Sequence, residues 1–204
     1  MIICMFKIIC VTNRKLCDGD FFDRIEKIAE CQPDAVILRE KDLPEYEYSL
    51  LAERVMDICG RYDVKCILHS FVNTALKLGA EYIHLPLGIL RTTDKNILSG
   101  FKKIGSSCHS VEDAGEALSL GADYITAGHI YETDCKKGIV PRGTMFLKSV
   151  CESVDIPVFA IGGISPENIN SVINAGAEGV CLMSSFMKCD DILRYMYSLG
   201  KDTK

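Results

Sequence analysis

One short phrase recurs three times along the chain and constrains what it can fold into. It reads LGAEYIHL from Leu78, LGADYITAG from Leu120 and AGAEGVCLMSS from Ala175. In each copy Gly-Ala-acid closes an amphipathic run and a short apolar segment follows, the pattern of a helix that ends on glycine and turns into a buried strand. Working outward from these junctions places eight short strands near 6–11, 35–38, 65–69, 82–85, 103–107, 124–127, 157–161 and 180–183. Helical patterns such as FFDRIEKIAE, EYEYSLLAERVMDIC, VNTALKLG, VEDAGEALSLG and SPENINSVINAG lie between them, the last with Ser165 as expected N-cap, Pro166 at the first helical position and Gly176 at the end. Strict alternation of strand and helix predicts parallel β-structure. Eight such units in 204 residues predict a small (β/α)8 TIM barrel, an α/β fold formed as a single domain over residues 1–204; a doubly wound open sheet is the alternative.

With 48% hydrophobic and 25% charged residues, the composition is that of a globular protein with a substantial core. A net charge of -5 gives no general attraction to nucleic acid or to anionic membranes, and no helix-turn-helix pattern or basic stripe is present. The eleven cysteines are scattered and form no C-x-x-C pair, and several fall inside apolar runs such as FKIIC and GVCLM. That pattern reads as small buried hydrophobes in a reducing cytoplasm. Lys7 interrupts the apolar N-terminal run MIICMFKIICVT, which reads as a first strand rather than a targeting segment. No run approaches the roughly 20 apolar residues that span a bilayer. Outward-facing helix residues leave room for a homodimer, which sequence does not select.

Barrels of this kind carry their chemistry at the carboxyl ends of the strands. All four histidines fall there: His69 and His84 end the third and fourth strands, and His109 and His129 follow the fifth and sixth. The second strand ends in LREKD, where alternation points Arg39 and Lys41 the same way, as a carboxylate or phosphate ligand would require. After the seventh strand, AIGGIS supplies Gly162 and Gly163, and after the eighth, MSS supplies Ser184 and Ser185 ahead of a helical turn. Glycines admit close backbone approach, and these two loops form the usual phosphate cradle of the fold. A phosphate monoester ligand is the expectation.

In these motifs, LREK, GAEYIHL, SCHS, GHIYETDCKKG with the following RG, AIGGI and MSS, the chain resembles the thiamine phosphate synthases and their relatives, the TenI-like thiazole tautomerases. The resemblance runs over essentially the whole length. Where the synthases carry an Asn-Asp pair after the third strand and an aspartate after the fourth for Mg2+, this chain reads His69-Ser70 and HLPLGIL, with no acid before Asp94. Where they carry Gly-Pro and a threonine in the sixth loop, it has Gly128-His129 and Cys135. The loop GHIYETDCKKG looks most like the tautomerase branch.

That branch implies an isomerase of thiamine biosynthesis, moving a proton in a phosphorylated thiazole carboxylate with no metal or organic cofactor. Histidine, with an unperturbed pKa of about 6.5, suits a base that returns its proton as an acid. His129 is then the expected catalytic base. Arg39, Lys41 and Lys136 are candidates to hold the carboxylate, and His69 an auxiliary acid or ring donor. Two rival readings remain: a thiamine phosphate synthase joining pyrimidine pyrophosphate to thiazole phosphate, and a regulatory protein that binds thiazole phosphate without turnover. Cys135, beside Lys136, invites a nucleophile reading that the proposed chemistry does not need.

Overall fold

The computed structural model describes residues 6–200. Its strands β1 (Lys7–Val11), β2 (Ala35–Leu38), β3 (Lys65–His69), β4 (Tyr82–Pro86), β5 (Lys103–Cys108), β6 (Tyr124–Gly128), β7 (Val158–Ile161) and β8 (Gly179–Leu182) close into a barrel in sequence order. The helices are α1 (Phe21–Glu30), α2 (Glu45–Arg61), α3 (Val72–Lys77), α4 (Leu87–Thr92), α5 (Lys95–Leu98), α6 (Val111–Ser119), α7 (Gly143–Ser153), α8 (Ile169–Asn174), α9 (Ser184–Lys188) and α10 (Ile192–Ser198). The expected (β/α)8 architecture is therefore present, and the open sheet is not. The first five residues of the N-terminal run lie outside the described residues.

The recurring phrase has a physical explanation. Gly79 and Gly121 both have positive φ, 68° and 92°. After each, the alanine N–H reaches back to close the helix, Ala80 to the Ala75 carbonyl at 2.9 Å and Ala122 to the Ala117 carbonyl at 3.0 Å. This is the Schellman ending, which needs a left-handed residue where only glycine is unstrained. The acid that follows takes the chain into the sheet: the Asp123 N–H donates to the Ile104 carbonyl at 2.7 Å, and its carboxylate accepts the Ile104 N–H at 2.8 Å. Asp34 treats Ile8 the same way, at 2.9 and 2.7 Å. Each acid thus sets the starting register of its strand against the preceding one.

Contacts divide the chain into two units, one running to Ile83 and resuming at Leu182, the other being His84–Cys181. In the first, β1, β2 and β3 pair in parallel, with Ile9 opposite Ala35 and Ala35 opposite Lys65. Strands covered on both faces read as continuous apolar runs, and β2 is buried throughout. Outside them, α1 buries Ile25, Ile28 and Ala29, and α2 buries Ala52, Val55, Ile58 and Cys59. Each fully buried isoleucine contributes roughly 1.5–3 kcal/mol. The α1 start is fixed by Asp20, whose carboxylate accepts the Phe22 and Asp23 N–H groups.

In the second unit, β5 to β8 pair in parallel, Gly105 opposite Tyr124 and Phe159 opposite Gly179. A Cβ at Gly105 would lie 2.1 Å from the Tyr124 ring and 2.5 Å from His84 Nδ1. Glycine here makes room for a buried pair, the Tyr124 hydroxyl at 3.1 Å from His84 Nδ1, with His84 Nε2 at 2.9 Å from Ser107 Oγ. One sequence expectation is corrected. Ser165 and Pro166 do not start α8; residues 165–168 form a turn, closed by Asn168, whose side chain accepts the Ser165 N–H and donates to the Gly163 carbonyl, both at 2.9 Å. An asparagine that satisfies the turn on both sides delays the helix to Ile169.

Candidate active site

In the first unit, the exits of β1 and β2 are joined by one carboxylate. Glu40, only 2% exposed, accepts the Thr12 hydroxyl at 2.7 Å, the Arg14 N–H at 3.0 and 3.1 Å, and the Arg14 guanidinium at 3.2 Å. Thr12 Oγ1 in turn accepts the Arg39 N–H at 3.0 Å. Arg14 also forks onto Asp42 at 2.7 and 2.8 Å, and Lys15 Nζ joins that carboxylate at 2.8 Å. Arg14, then Lys15, holds the Asp42 carboxyl well below the usual carboxylate range. The candidate ligands Arg39, half-buried, and Lys41, exposed, flank Glu40. Sequence reading met Glu40 only as part of LREKD, gave it no role of its own, and gave none to Thr12 or Arg14.

At the end of β3, His69 is buried and its Nδ1 lies 2.6 Å from Ser70 Oγ, with Ser70 in left-handed backbone at φ 69°. Its N–H donates to the Tyr48 hydroxyl at 2.8 Å, while that hydroxyl donates to the Leu38 carbonyl at 2.8 Å. One phenol on α2 therefore ties the ends of β2 and β3, and burial pushes its pKa well up. Ser184 and Ser185 are the first two residues of α9, inside the helical turn rather than ahead of it as the sequence suggested.

In the second unit, His129 is 7% exposed and its Nε2 lies 3.2 Å from the Ile139 carbonyl. A carbonyl only accepts, so that nitrogen carries the proton in this arrangement. Just before it, His109 Nδ1 donates to the Gly128 carbonyl at 2.9 Å, and Asp113 accepts the His109 N–H at 2.7 Å. The structure brings His129, Gly162 and Gly163 together. Cβ atoms at the two glycines, with φ of 102° and 67°, would lie 2.4 Å from His129 Cβ and 2.4 Å from the Glu132 carbonyl oxygen. The Tyr131 N–H also donates to the Gly162 carbonyl at 3.0 Å. These glycines therefore serve close packing of the β6 loop on the β7 loop, a reason the sequence did not disclose. Beyond that anchor, Lys136 and Cys135 sit exposed on a single 3-10 turn, Asp134–Lys136, and Asp134 pairs with Lys137 at 3.4 Å.

The resemblance implies Mg2+ at the exits of β3 and β4. The donors present do not fit it. Mg2+ needs hard oxygens in octahedral array, whereas β3 ends in an imidazole bonded to a serine hydroxyl. After β4 the first acid is Asp94, which is spent as the α5 cap, accepting the Asn96 N–H at 2.7 Å. Among the described residues no group of three His, Cys, Asp or Glu side chains is placed to hold a metal ion.

A closed barrel of eight parallel strands with helices between them defines the class of (β/α)8 proteins. Within that class the chain belongs to the thiamine monophosphate synthase (TMP-TENI) family, whose model matches residues 8–186. It is 33% identical over 200 residues to thiamine-phosphate synthase of Clostridium novyi, covering 92% of this chain and 93% of that protein. The thiamine-phosphate synthase of Fusobacterium nucleatum is 33% identical over 198 residues, covering 96% of each. Among solved structures, thiamine phosphate pyrophosphorylase from Pyrococcus furiosus superposes with a TM-score of 0.81 at 28% identity, covering 95% of this chain and 93% of that one. These findings overturn the expectation of a tautomerase. Relatives over the full length are named as synthases, which are transferases, so the isomerase reading, and with it the role of His129 as tautomerase base, is withdrawn.

Proposed function

We propose that this chain is a transferase of the thiamine-phosphate synthase type, joining a pyrimidine pyrophosphate to a thiazole phosphate with release of pyrophosphate. The observation that carries this reading is the full-length similarity to proteins named for that activity. In the reaction the bond from the pyrimidine methylene to the pyrophosphate oxygen breaks, and a new bond forms from that carbon to the thiazole nitrogen. Charge develops on the departing oxygens, and groups aimed there are worth most in the transition state. Arg39 and Lys41 are the residues assigned to the leaving pyrophosphate, with Lys136 as a further cation on its exposed turn. Arginine suits the role because its planar fork matches phosphate oxygens. Gly162 and Gly163, with Ser184 and Ser185 in the first turn of α9, are assigned to the thiazole phosphate. His69, bonded to Ser70, is assigned to a ligand ring. Free thiols at ten described cysteines agree with work in a reducing cytoplasm.

The test is product formation from the two purified substrates, followed by chromatography against a blank without protein. Thiamine phosphate above the blank is the expected result. Its absence, with and without added Mg2+, would remove the transfer reading. A second reading, binding of the phosphorylated thiazole without turnover, is favoured by one observation, the lack of metal-holding carboxylates at the exits of β3 and β4. Saturable binding of thiazole phosphate with no product would establish it instead.

A further inference from the structure

We propose that Glu40 is a positioning residue for an anion site made by Arg39 and Lys41, acting through the backbone that carries them. The inference rests on the assignment of those two cations to pyrophosphate. Its physical basis is the way the carboxylate is used. Glu40 is buried, and it takes hydrogen bonds from the Thr12 hydroxyl, the Arg14 N–H and the Arg14 guanidinium. On one side the Arg39 N–H is held by Thr12 Oγ1, itself the donor to Glu40. On the other, Asp42 is locked by Arg14 and Lys15, so Lys41 sits between two anchored carboxylates. The segment 39–42 lies beyond the last strand residue, Leu38, and is held by these bonds together with a turn in which the Leu43 N–H donates to the Glu40 carbonyl at 3.3 Å, not by a β-ladder.

Binding then costs less conformational entropy, because the backbone under both cations is already fixed. The same carboxylate offsets part of their charge. That makes two contributions of opposite sign separable by experiment. If Glu40 acted only as a charge, replacing it with neutral glutamine would strengthen anion binding. If it acts by positioning, the amide, which cannot accept from all three donors, loosens the segment and binding weakens.

The experiment is calorimetric titration of inorganic pyrophosphate into wild type, Glu40→Gln, the pair Arg39→Ala/Lys41→Ala, and the triple variant, with thermal denaturation of each. Positioning predicts about a tenfold weaker pyrophosphate affinity in Glu40→Gln and no further loss when it is added to the Arg39/Lys41 pair, while its destabilisation is the same in both backgrounds. Tighter or unchanged binding in Glu40→Gln, an equal loss in both backgrounds, or no pyrophosphate binding by wild type overturns the proposal. Should Glu40→Gln fail to fold, Thr12→Val cuts the same relay between the Arg39 N–H and the carboxylate and is read by the same criteria. Pyrophosphate binding that shows the predicted pattern in a protein forming no product would sink the transfer reading and leave this one standing.

Discussion

The exits of β1 and β2 and the exit of β6 solve the same problem, holding polar side chains on irregular backbone, by different means. The first is built on charge, with one buried carboxylate, a bidentate arginine and a buried threonine bonded directly to one another. The second is built on close packing, with two glycines that let His129, Tyr131 and Glu132 rest against the β7 loop. A charged network fails when one partner is removed, because the rest are left buried and unsatisfied. A packed loop fails when volume is added.

That contrast can be broken experimentally. The largest effect is expected at Glu40→Ala, which strands the Thr12 hydroxyl and the Arg14 N–H; a loss of about 2–4 kcal/mol in urea denaturation is the expected outcome. A loss under 1 kcal/mol would mean that water replaces the carboxylate freely. Next comes Gly162→Ala, where a left-handed φ of 102° and a 2.4 Å approach to His129 coincide; roughly 2–3 kcal/mol is expected from strain and displacement together. Here circular dichroism melting should show the loss, whereas alanine at Gly60, which has open space at its Cβ position, should not destabilise. Tyr124→Phe removes the hydroxyl from His84 Nδ1 and should cost about 1–2 kcal/mol by the same measurement.

Acid should distinguish the two regions as well. The folded-state pKa of Asp42 is depressed by Arg14 and Lys15, so its contribution is complete above its unfolded value of about 3.9 and is lost as pH falls toward the folded one. Stability curves of wild type and Asp42→Asn should therefore differ near neutrality and converge in acid. A constant gap over that range would show that Asp42 acts by something other than its charge. The smallest effect is chemical: Cys135 is exposed, while Cys181 and Cys108 are buried and burial pushes the Cys108 thiol up to about 12. Brief alkylation of the folded protein should mark Cys135 first and leave stability unchanged.

Much of the barrel was legible because its punctuation is local. The residues after Gly79 and Gly121 bond back to nearby helix carbonyls, and Asp123 bonds to the adjacent strand, so the phrase located the junctions within a residue or two. Arg39 and Lys41 were placed by strand alternation, a rule that does not reach them, because β2 ends at Leu38 and residues 39–42 are irregular. Glu40 was not legible, because its partners, Thr12 and Arg14, lie 28 and 26 residues away, and a charge run looks the same whether it is solvated or buried. Gly162 was read as a phosphate contact, and only the β6 loop lying on it shows why a side chain cannot stand there. The branch within the family was misjudged from the β6 loop and the missing Mg2+ carboxylates after β3 and β4, a few positions set against a similarity that covers 92% of the chain.

The most direct measurement is the rate at which thiamine phosphate forms from the pyrimidine pyrophosphate and thiazole phosphate, with wild type and Arg39→Ala/Lys41→Ala compared against a protein-free blank. Wild type is expected to form product and the paired variant to be slower by about a hundredfold or more, the scale of losing a charge-stabilising contact to a leaving group. Product at the blank rate with wild type would contradict the transferase account.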